Sequence, residues 1–308
     1  MQKAILLFVF FLMAITTHCQ LPFQEFEYSK IDSLPGAALY GKEVKKGNQR
    51  YVVYCQVIDL KKNTLAQFIE IDKNITPSLG KYIGVKALLD SPFFSSFSVD
   101  EATKKAKSKE KQNFIGMVNG GFFESFDPST QMAFPIKKDG AIVTAGSSSS
   151  GPCENPRLPI FKEVQLKALV WADSSVSIQN YDPKTGIPLT QDQYSDGLVT
   201  YAYDEHPANI FRPNVPDRFM LIGTARTPGN TADNLVVIMT FNKGNIEFAA
   251  AHLKELGIKS DIIALGGSAS AFLYHRKKGM LEGPGVSLGN GGLGEIRLPH
   301  FLFFSKKD

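Results

Sequence analysis

Asn119-Gly120-Gly121-Phe122-Phe123 places an amide at the end of an apolar run, then two residues without side chains, then two aromatic rings. An amide can hold a sugar hydroxyl or a phosphate oxygen. Successive glycines can offer their N–H groups as a small anion nest. The same five residues also describe a tight turn followed by core phenylalanines. Arg218 precedes the run Phe219 to Gly223. A guanidinium there could clamp a phosphate through two parallel hydrogen bonds, or could be an ordinary surface charge at a strand start. Gly266-Gly267-Ser268, with Ser270 just beyond, closes the run Asp261 to Leu265 and offers N–H groups and hydroxyls at its carboxyl end. Close packing or a bulge would use the same glycines. Asn290 is a further amide, inside a loop holding Gly283, Gly285, Gly289, Gly291, Gly292 and Gly294.

These residues form one candidate ligand-binding set: Asn119, Gly120, Gly121, Arg218, Gly266, Gly267, Ser268, Ser270 and Asn290. No catalytic residue is assigned from the sequence. No CxxC or His/Cys cluster suggests a metal site, and no cofactor is expected.

The elements that must carry this set are mostly strands. Ala38 to Val44, Gln49 to Leu60 and Thr64 to Asp72 read as strands, Arg50 to Ile58 being rich in β-branched and aromatic residues. Ser98-Val99-Asp100-Glu101 is a capping box, which predicts a helix from Val99 to about Lys109. Phe114 to Val118 reads as a strand running into Asn119. Asp139-Gly140 closes a hairpin within Phe134 to Val143. Val164 to Ile178, Arg218 to Thr224, Asn234 to Phe241 and Phe301 to Phe304 read as further strands, and Pro183 to Ser195 as turns. Asn245 caps a helix through Leu256, with Ile246, Ala249, Ala250, Leu253 and Leu256 on one face and Gly257 as its stop. Residues up to about Pro35 look irregular. The expected fold is α+β, a single β-rich domain of mixed sheets with a few packed helices. Nothing repeats at a fixed period.

The first residues address the compartment. Met1-Gln2-Lys3, the apolar run Ala4 to Ile15 and small Thr17 and Cys19 fit a secretory signal cut after Cys19. The run is shorter than the roughly 20 residues of a bilayer span. The division is therefore a signal peptide over 1–19 and one domain over 20–308, secreted or periplasmic. A lipoprotein through Cys19 is the rival, disfavoured by bulky His18 before the cysteine. Cys55 and Cys153 remain, either as one disulfide or as two buried thiols. The net charge of +4 is weak. The basic cluster Lys104 to Lys109 has acids beside it and reads as a solvated helix face, so no nucleic-acid partner is expected.

The four chemical pieces, in this order, resemble the phosphodiester glycosidase family. Asn119 to Phe123 matches its NGG-phenylalanine element well. Arg218 to Gly223 is similar to its arginine-strand element only loosely, with one extra residue. Asn245 to Gly257 is similar to its amphipathic helix, and Asn290 to its last asparagine. The resemblance runs from about Tyr40 onward. It implies a sugar-phosphate or glycan ligand and hydrolysis of the bond between an anomeric carbon and phosphate. The NLDGGGS-type element is degenerate: Ile263 stands at its asparagine, Leu265 at its aspartate, Ser268 at its third glycine and Ala269 at its serine. Side chains two apart on a strand share a face, so two polar groups expected at the site are both apolar. One proton-transfer group alone is worth roughly 10²–10⁴ in rate. Asp261 lies ~13 Å from Leu265 along an extended strand and cannot substitute. Asp204-Glu205-His206 could supply acid/base chemistry, or could be a solvated loop.

Two functions follow. One is an exported phosphodiester glycosidase-like protein that binds, and in its enzymatic form hydrolyses, a sugar-1-phosphodiester or related glycan. The other is a non-catalytic glycan-binding protein with a degenerate active site.

Overall fold

The computed structural model describes residues 21–46, 49–75, 92–147, 164–211, 213–267, 270–282 and 296–308. The strands open with β1 (Ser29–Leu34), β2 (Ala37–Lys46), β3 (Gln49–Asp59), β4 (Asn63–Ile69), β5 (Phe94–Ser95) and β6 (Phe97–Ser98). Helix α1 (Val99–Glu110) leads to β7 (Phe114–Asn119), β8 (Ser129–Thr130), β9 (Ile136–Lys138) and β10 (Ala141–Thr144). Then come β11 (Leu166–Ala172), β12 (Ser175–Asn180), β13 (Asp196–Ala202) and the short helix α2 (Pro207–Phe211). Next are β14 (Asp217–Ala225), β15 (Leu235–Gly244), α3 (Ile246–Glu255) and β16 (Ile263–Gly267). The small strands β17 (Leu273–His275), β18 (Gly279–Glu282) and β19 (Arg297–Leu298) precede β20 (His300–Lys306).

The protein is mainly β with a few helices, compatible with an α+β class. An eleven-stranded sheet runs β1-β2-β3-β15-β14-β16-β13-β11-β12, with the β9–β10 hairpin attached to β13. A five-stranded sheet runs β18-β17-β7-β20-β4. Apolar side chains of both fill the space between them, among them Ile58, Ile222 and Ile238 from the large sheet and Val118, Leu302 and Phe304 from the small one. Helix α3 lays Ile246, Ala249, Ala250 and Leu253 on the outer face of the large sheet, against Cys55, Leu221, Val237 and Met239. Helix α1 covers the outer face of the small sheet, Ala102 and Ala106 meeting Phe114, Met117 and Phe303. The layers are thus helix, large sheet, small sheet, helix.

Local chemistry explains the helix ends. Ser98 accepts from the Glu101 N–H at 3.1 Å, and the Glu101 carboxylate accepts from the Ser98 N–H at 2.9 Å, completing the capping box. Asn245 accepts from the Phe248 N–H at 2.9 Å at the start of α3. Gly257 ends that helix with φ +88°, a conformation open to glycine at no steric cost. Asp139 and Gly140, with φ 51° and 83°, make the left-handed pair that a two-residue hairpin turn requires.

Two expectations are corrected, and one strand is added that the sequence reading did not name. Every strand pairing among the described residues is antiparallel, so the sheets are not mixed. β15 and β16 do run in the same direction and are joined through α3, as a parallel pair would be. But β14 lies between them and pairs antiparallel with both. Residues 29–34 form an edge strand, where the sequence looked irregular. Residues 196–202 form β13, a nearly fully buried strand in the middle of the large sheet.

The lysines of α1 do form a solvated face. Lys105 pairs with Glu70 at 2.8 Å and lies 4.4 Å over the Phe97 ring. Cys55 is a free, fully buried thiol whose pKa burial pushes up; Cys153 lies outside the described residues, as does the segment 1–19. Among the described residues no helix is long and apolar enough to cross a membrane.

Candidate functional site

The chain crosses from the large sheet to the small one at the glycines. β16 leaves the large sheet at Gly267, and the chain enters the small sheet at Leu273, where β17 pairs with β7. This corner collects most of the candidate set. Asn119, 1% exposed, donates through Nδ2 to the Leu265 carbonyl at 2.9 Å. Its Oδ1 accepts from the Gly121 N–H at 3.4 Å. A Cβ on Gly266 would stand 2.7 Å from Asn119 Nδ2 and 2.9 Å from Ser270 Oγ. Ser270 Oγ donates to the Gly267 carbonyl at 3.0 Å. Arg218, 9% exposed, is the second residue of β14, and its carbonyl is 3.4 Å from where a Gly267 Cβ would be. Ser268 and Asn290 lie outside the described residues.

The anion nest expected at Gly120-Gly121 does not form. Neither glycine has a positive φ, and both amides are engaged within the protein. Gly120 N–H donates to the His300 carbonyl at 3.0 Å, and Gly121 N–H to Asn119. Gly120 is small for another reason: a Cβ there would lie 2.5 Å from the His300 ring. His300 is fully buried, and among the described residues neither of its ring nitrogens has a hydrogen-bond partner. Burial, then the charge of Lys138, lowers its pKa to about 3. The imidazole is neutral at ordinary pH.

Ile263 and Leu265 share a face, as expected, but it is not an open one. Both are fully buried in the core between the sheets. The register of β14 against β16 shifts between Met220, opposite Gly266, and Leu221, opposite Ala264. Leu265 is the extra residue, and the bulge turns both Leu265 and Gly266 toward the small sheet. The outer face of β16 is left with Ala264 and Gly267. Asp261 is an exposed end of a Lys167 ion pair at 2.8 Å.

An open cleft of about 360 Å³ lies against that outer face. Gly267 and Ser270 border it, with Phe122, Phe134, Tyr201 and Phe219 as aromatic walls and Phe126, 53% exposed, at its mouth. Glu124, Asp217 and His206 bring chemistry to it. Glu124 accepts a hydrogen bond from the Ser147 hydroxyl. His206 Nδ1 accepts from the Ala208 N–H at 3.0 Å, which places the proton of the neutral ring on Nε2. Burial, and next the Glu124 carboxylate, push the Tyr201 phenol well above its usual range, so it stands there as a neutral hydroxyl. Of the Asp204-Glu205-His206 cluster, only His206 lines the cleft, and Asp204 is exposed. Glu124 and Asp217 escaped the sequence reading, although each adjoins a residue it singled out. Among the described residues no group of three or more His, Cys, Asp or Glu side chains could hold a metal ion.

No family model and no curated protein matches the sequence. Solved structures do resemble the fold. The catalytic domain of zebrafish N-acetylglucosamine-1-phosphodiester alpha-N-acetylglucosaminidase, auto-inhibited by its pro-peptide, aligns over 89% of this chain and 85% of its own, with 12% identity and a TM-score of 0.55. A hypothetical protein from Synechocystis aligns over 91% of this chain and 64% of its own, with 10% identity and a TM-score of 0.48. The fold is phosphodiester glycosidase-like. At such identity the likeness speaks to fold alone.

Proposed function

We propose that this protein is exported, to the cell exterior or a periplasm, and binds a glycan or sugar-1-phosphodiester in the cleft beside Gly267. The supporting observation is the position of that cleft. It sits where β16 crosses between the sheets of a phosphodiester glycosidase-like fold, with aromatic walls for sugar faces and carboxylates for sugar hydroxyls. Phe122, Tyr201, Gly267 and Ser270 contact the sugar; Arg218 is 9% exposed and does not line the cleft, and only its place between the lining residues Asp217 and Phe219 supports a role for it in holding phosphate. Asn119, Gly120, Gly121 and Gly266 act behind the surface by fixing the corner.

A second reading, hydrolysis, is favoured by Glu124, Asp217 and His206 on the same walls. In that reading one of these groups gives a proton to the leaving phosphate oxygen while a second takes one from the water that attacks the anomeric carbon. Nothing is required of positions 263 and 265.

The test combines thermal shift with mass spectrometry, using sugar-1-phosphodiesters, nucleotide sugars and neutral oligosaccharides. Ligand-induced stabilisation without released sugar, weakened in Asp217→Asn, establishes the binding protein. Released sugar, lowered about 100-fold or more in Glu124→Gln or Asp217→Asn, establishes the hydrolase. Neither stabilisation nor release overturns both readings.

A further inference from the structure

A second cavity, of about 610 Å³, lies away from the cleft. Thr64 and Leu65 at the start of β4 form one wall, and Lys137, Trp171 and Asp196 of the large sheet form the others. Ser305 of β20 pairs with Thr64 on one side and Phe114 on the other, while Asn119 pairs with Phe301. The cavity is therefore at the opposite end of the small sheet from Asn119.

Its floor holds an unusual charge. Lys137 is 4% exposed, and among the described residues its ammonium has one acceptor, the Gln191 carbonyl at 2.9 Å. An ammonium has three donors. Two are left without an acceptor among the described residues, and a ligand in the cavity that Lys137 lines could meet them. The rim has the opposite sign. Asp139 and Asp192 are exposed, and Asp196 is half-buried. The Asp196 carboxylate accepts from Gln67 Nε2 at 2.8 Å and from the Ser195 hydroxyl at 2.9 Å.

The acid is tied to the strand that carries the lysine. Gln67, 3% exposed and projecting from the small sheet, donates through the same Nε2 to the Lys137 carbonyl at 2.7 Å. Its amide oxygen has no partner. Trp171 is locked by its indole N–H on the Leu65 carbonyl at 2.9 Å. The acid and the aromatic wall are thus held in place before any ligand arrives, the ammonium rests on the Gln191 carbonyl, and the volume of about 610 Å³ falls in the range of small-molecule sites, roughly 300–1,000 Å³.

The geometry points to a binding site for a small zwitterion, an amino acid or short peptide, with its carboxylate on Lys137 and its ammonium on Asp192 and Asp196. Each half excludes simpler ligands. A bare amine satisfies the acids and leaves the buried ammonium unmet. A bare carboxylate satisfies Lys137 and meets the acids at close range. A divalent ion finds no group of three ligands among the described residues.

The experiment is calorimetric titration of the full chain with the common free amino acids, glycylglycine, acetate, putrescine and glucose. Lys137→Met and Asp192→Asn are titrated beside the wild type. At least one amino acid or glycylglycine binds the wild type, acetate and putrescine do not, and each variant weakens that binding about tenfold or more. Asp192 is on the exposed rim, so its variant tests the ammonium end whatever the Lys137 variant does to folding. No binding by any zwitterion overturns the proposal. So does equal binding by acetate or putrescine, and so does binding that survives in Asp192→Asn.

Discussion

Two strand ends in this protein carry glycine pairs, and they divide their glycines in the same way. At the end of β7, a Cβ on Gly120 would strike the His300 ring at 2.5 Å, while one on Gly121 would first meet Met132 at 3.5 Å. At the end of β16, a Cβ on Gly266 would strike Asn119 at 2.7 Å, while one on Gly267 would first meet atoms at 3.4 Å. The first glycine of each pair is a packing device and the second has room. The ends differ in what lies beyond. β7 ends against a buried histidine with its amides spent, and β16 ends on an open cleft. A glycine pair at a strand end therefore shows close approach, and only the surroundings decide whether a ligand or the protein's own core does the approaching.

The sharpest way to break this comparison is Leu265→Asp. Restoring a carboxylate there looks like repair of a degenerate motif, but the side chain lies in the core between the sheets. An uncompensated buried charge costs about 3–5 kcal/mol, and urea unfolding should show a loss of that size. An unchanged midpoint would mean that position 265 reaches solvent, and that the outward face of β16 has been misassigned. Next in size, Gly120→Ala and Gly266→Ala should each cost about 1–3 kcal/mol, as overpacking does, with Gly121→Ala and Gly267→Ala below about 1 kcal/mol. Four equal values would erase the division within the pairs.

The effect that is smallest at neutral pH is that of His300, because it appears only on acidification. Burial lowers His300 from 6.5 to about 3 in the fold. Above pH 6.5 the ring is neutral folded or unfolded, and nothing is lost. Below it the unfolded chain takes up a proton that the fold refuses, so stability falls as pH drops from 6.5 toward 3, by at most about 1.4 kcal/mol per pH unit. His252 and His275, also lowered chiefly by burial, add to the same acid slope. His300→Gln should have a flatter stability curve than the wild type over this window. Parallel curves would mean that the ring is solvated, and the closed character of the β7 end would go with it.

The sequence made the locally determined parts of this fold legible. The Ser98 capping box, the Asp139-Gly140 turn and the Asn245-to-Gly257 helix all depend on neighbours within a few residues, and all three are present. β1 was missed because an edge strand with the burial of Ser29–Leu34, mostly exposed or half-buried, carries no clean alternation. β13 was missed because a strand buried on both faces shows no alternation either. Asn119, Gly120, Gly121, Gly266, Gly267 and Ser270 lie at one corner, while Ser268 and Asn290 are outside the described residues. Their orientations were not legible, since the bulge at Leu265 reverses the facing that simple alternation assigns. The acids of the cleft were hidden for a related reason. Glu124, Asp217 and His206 come from three separate stretches, and only the crossing of the sheets makes them neighbours.

The hydrogen bond from Asn119 to the Leu265 carbonyl spans 146 positions of sequence. β20, meanwhile, is wedged between β4 and β7, so the small sheet stays incomplete until a strand far along the chain is threaded into its middle. Such non-local pairings form slowly, because chain closure must precede the contacts that reward it. The cleft corner should then be among the last parts to acquire hydrogen-exchange protection during refolding. A newly made chain would stay open, and able to pass through a narrow channel, long after its helices could form.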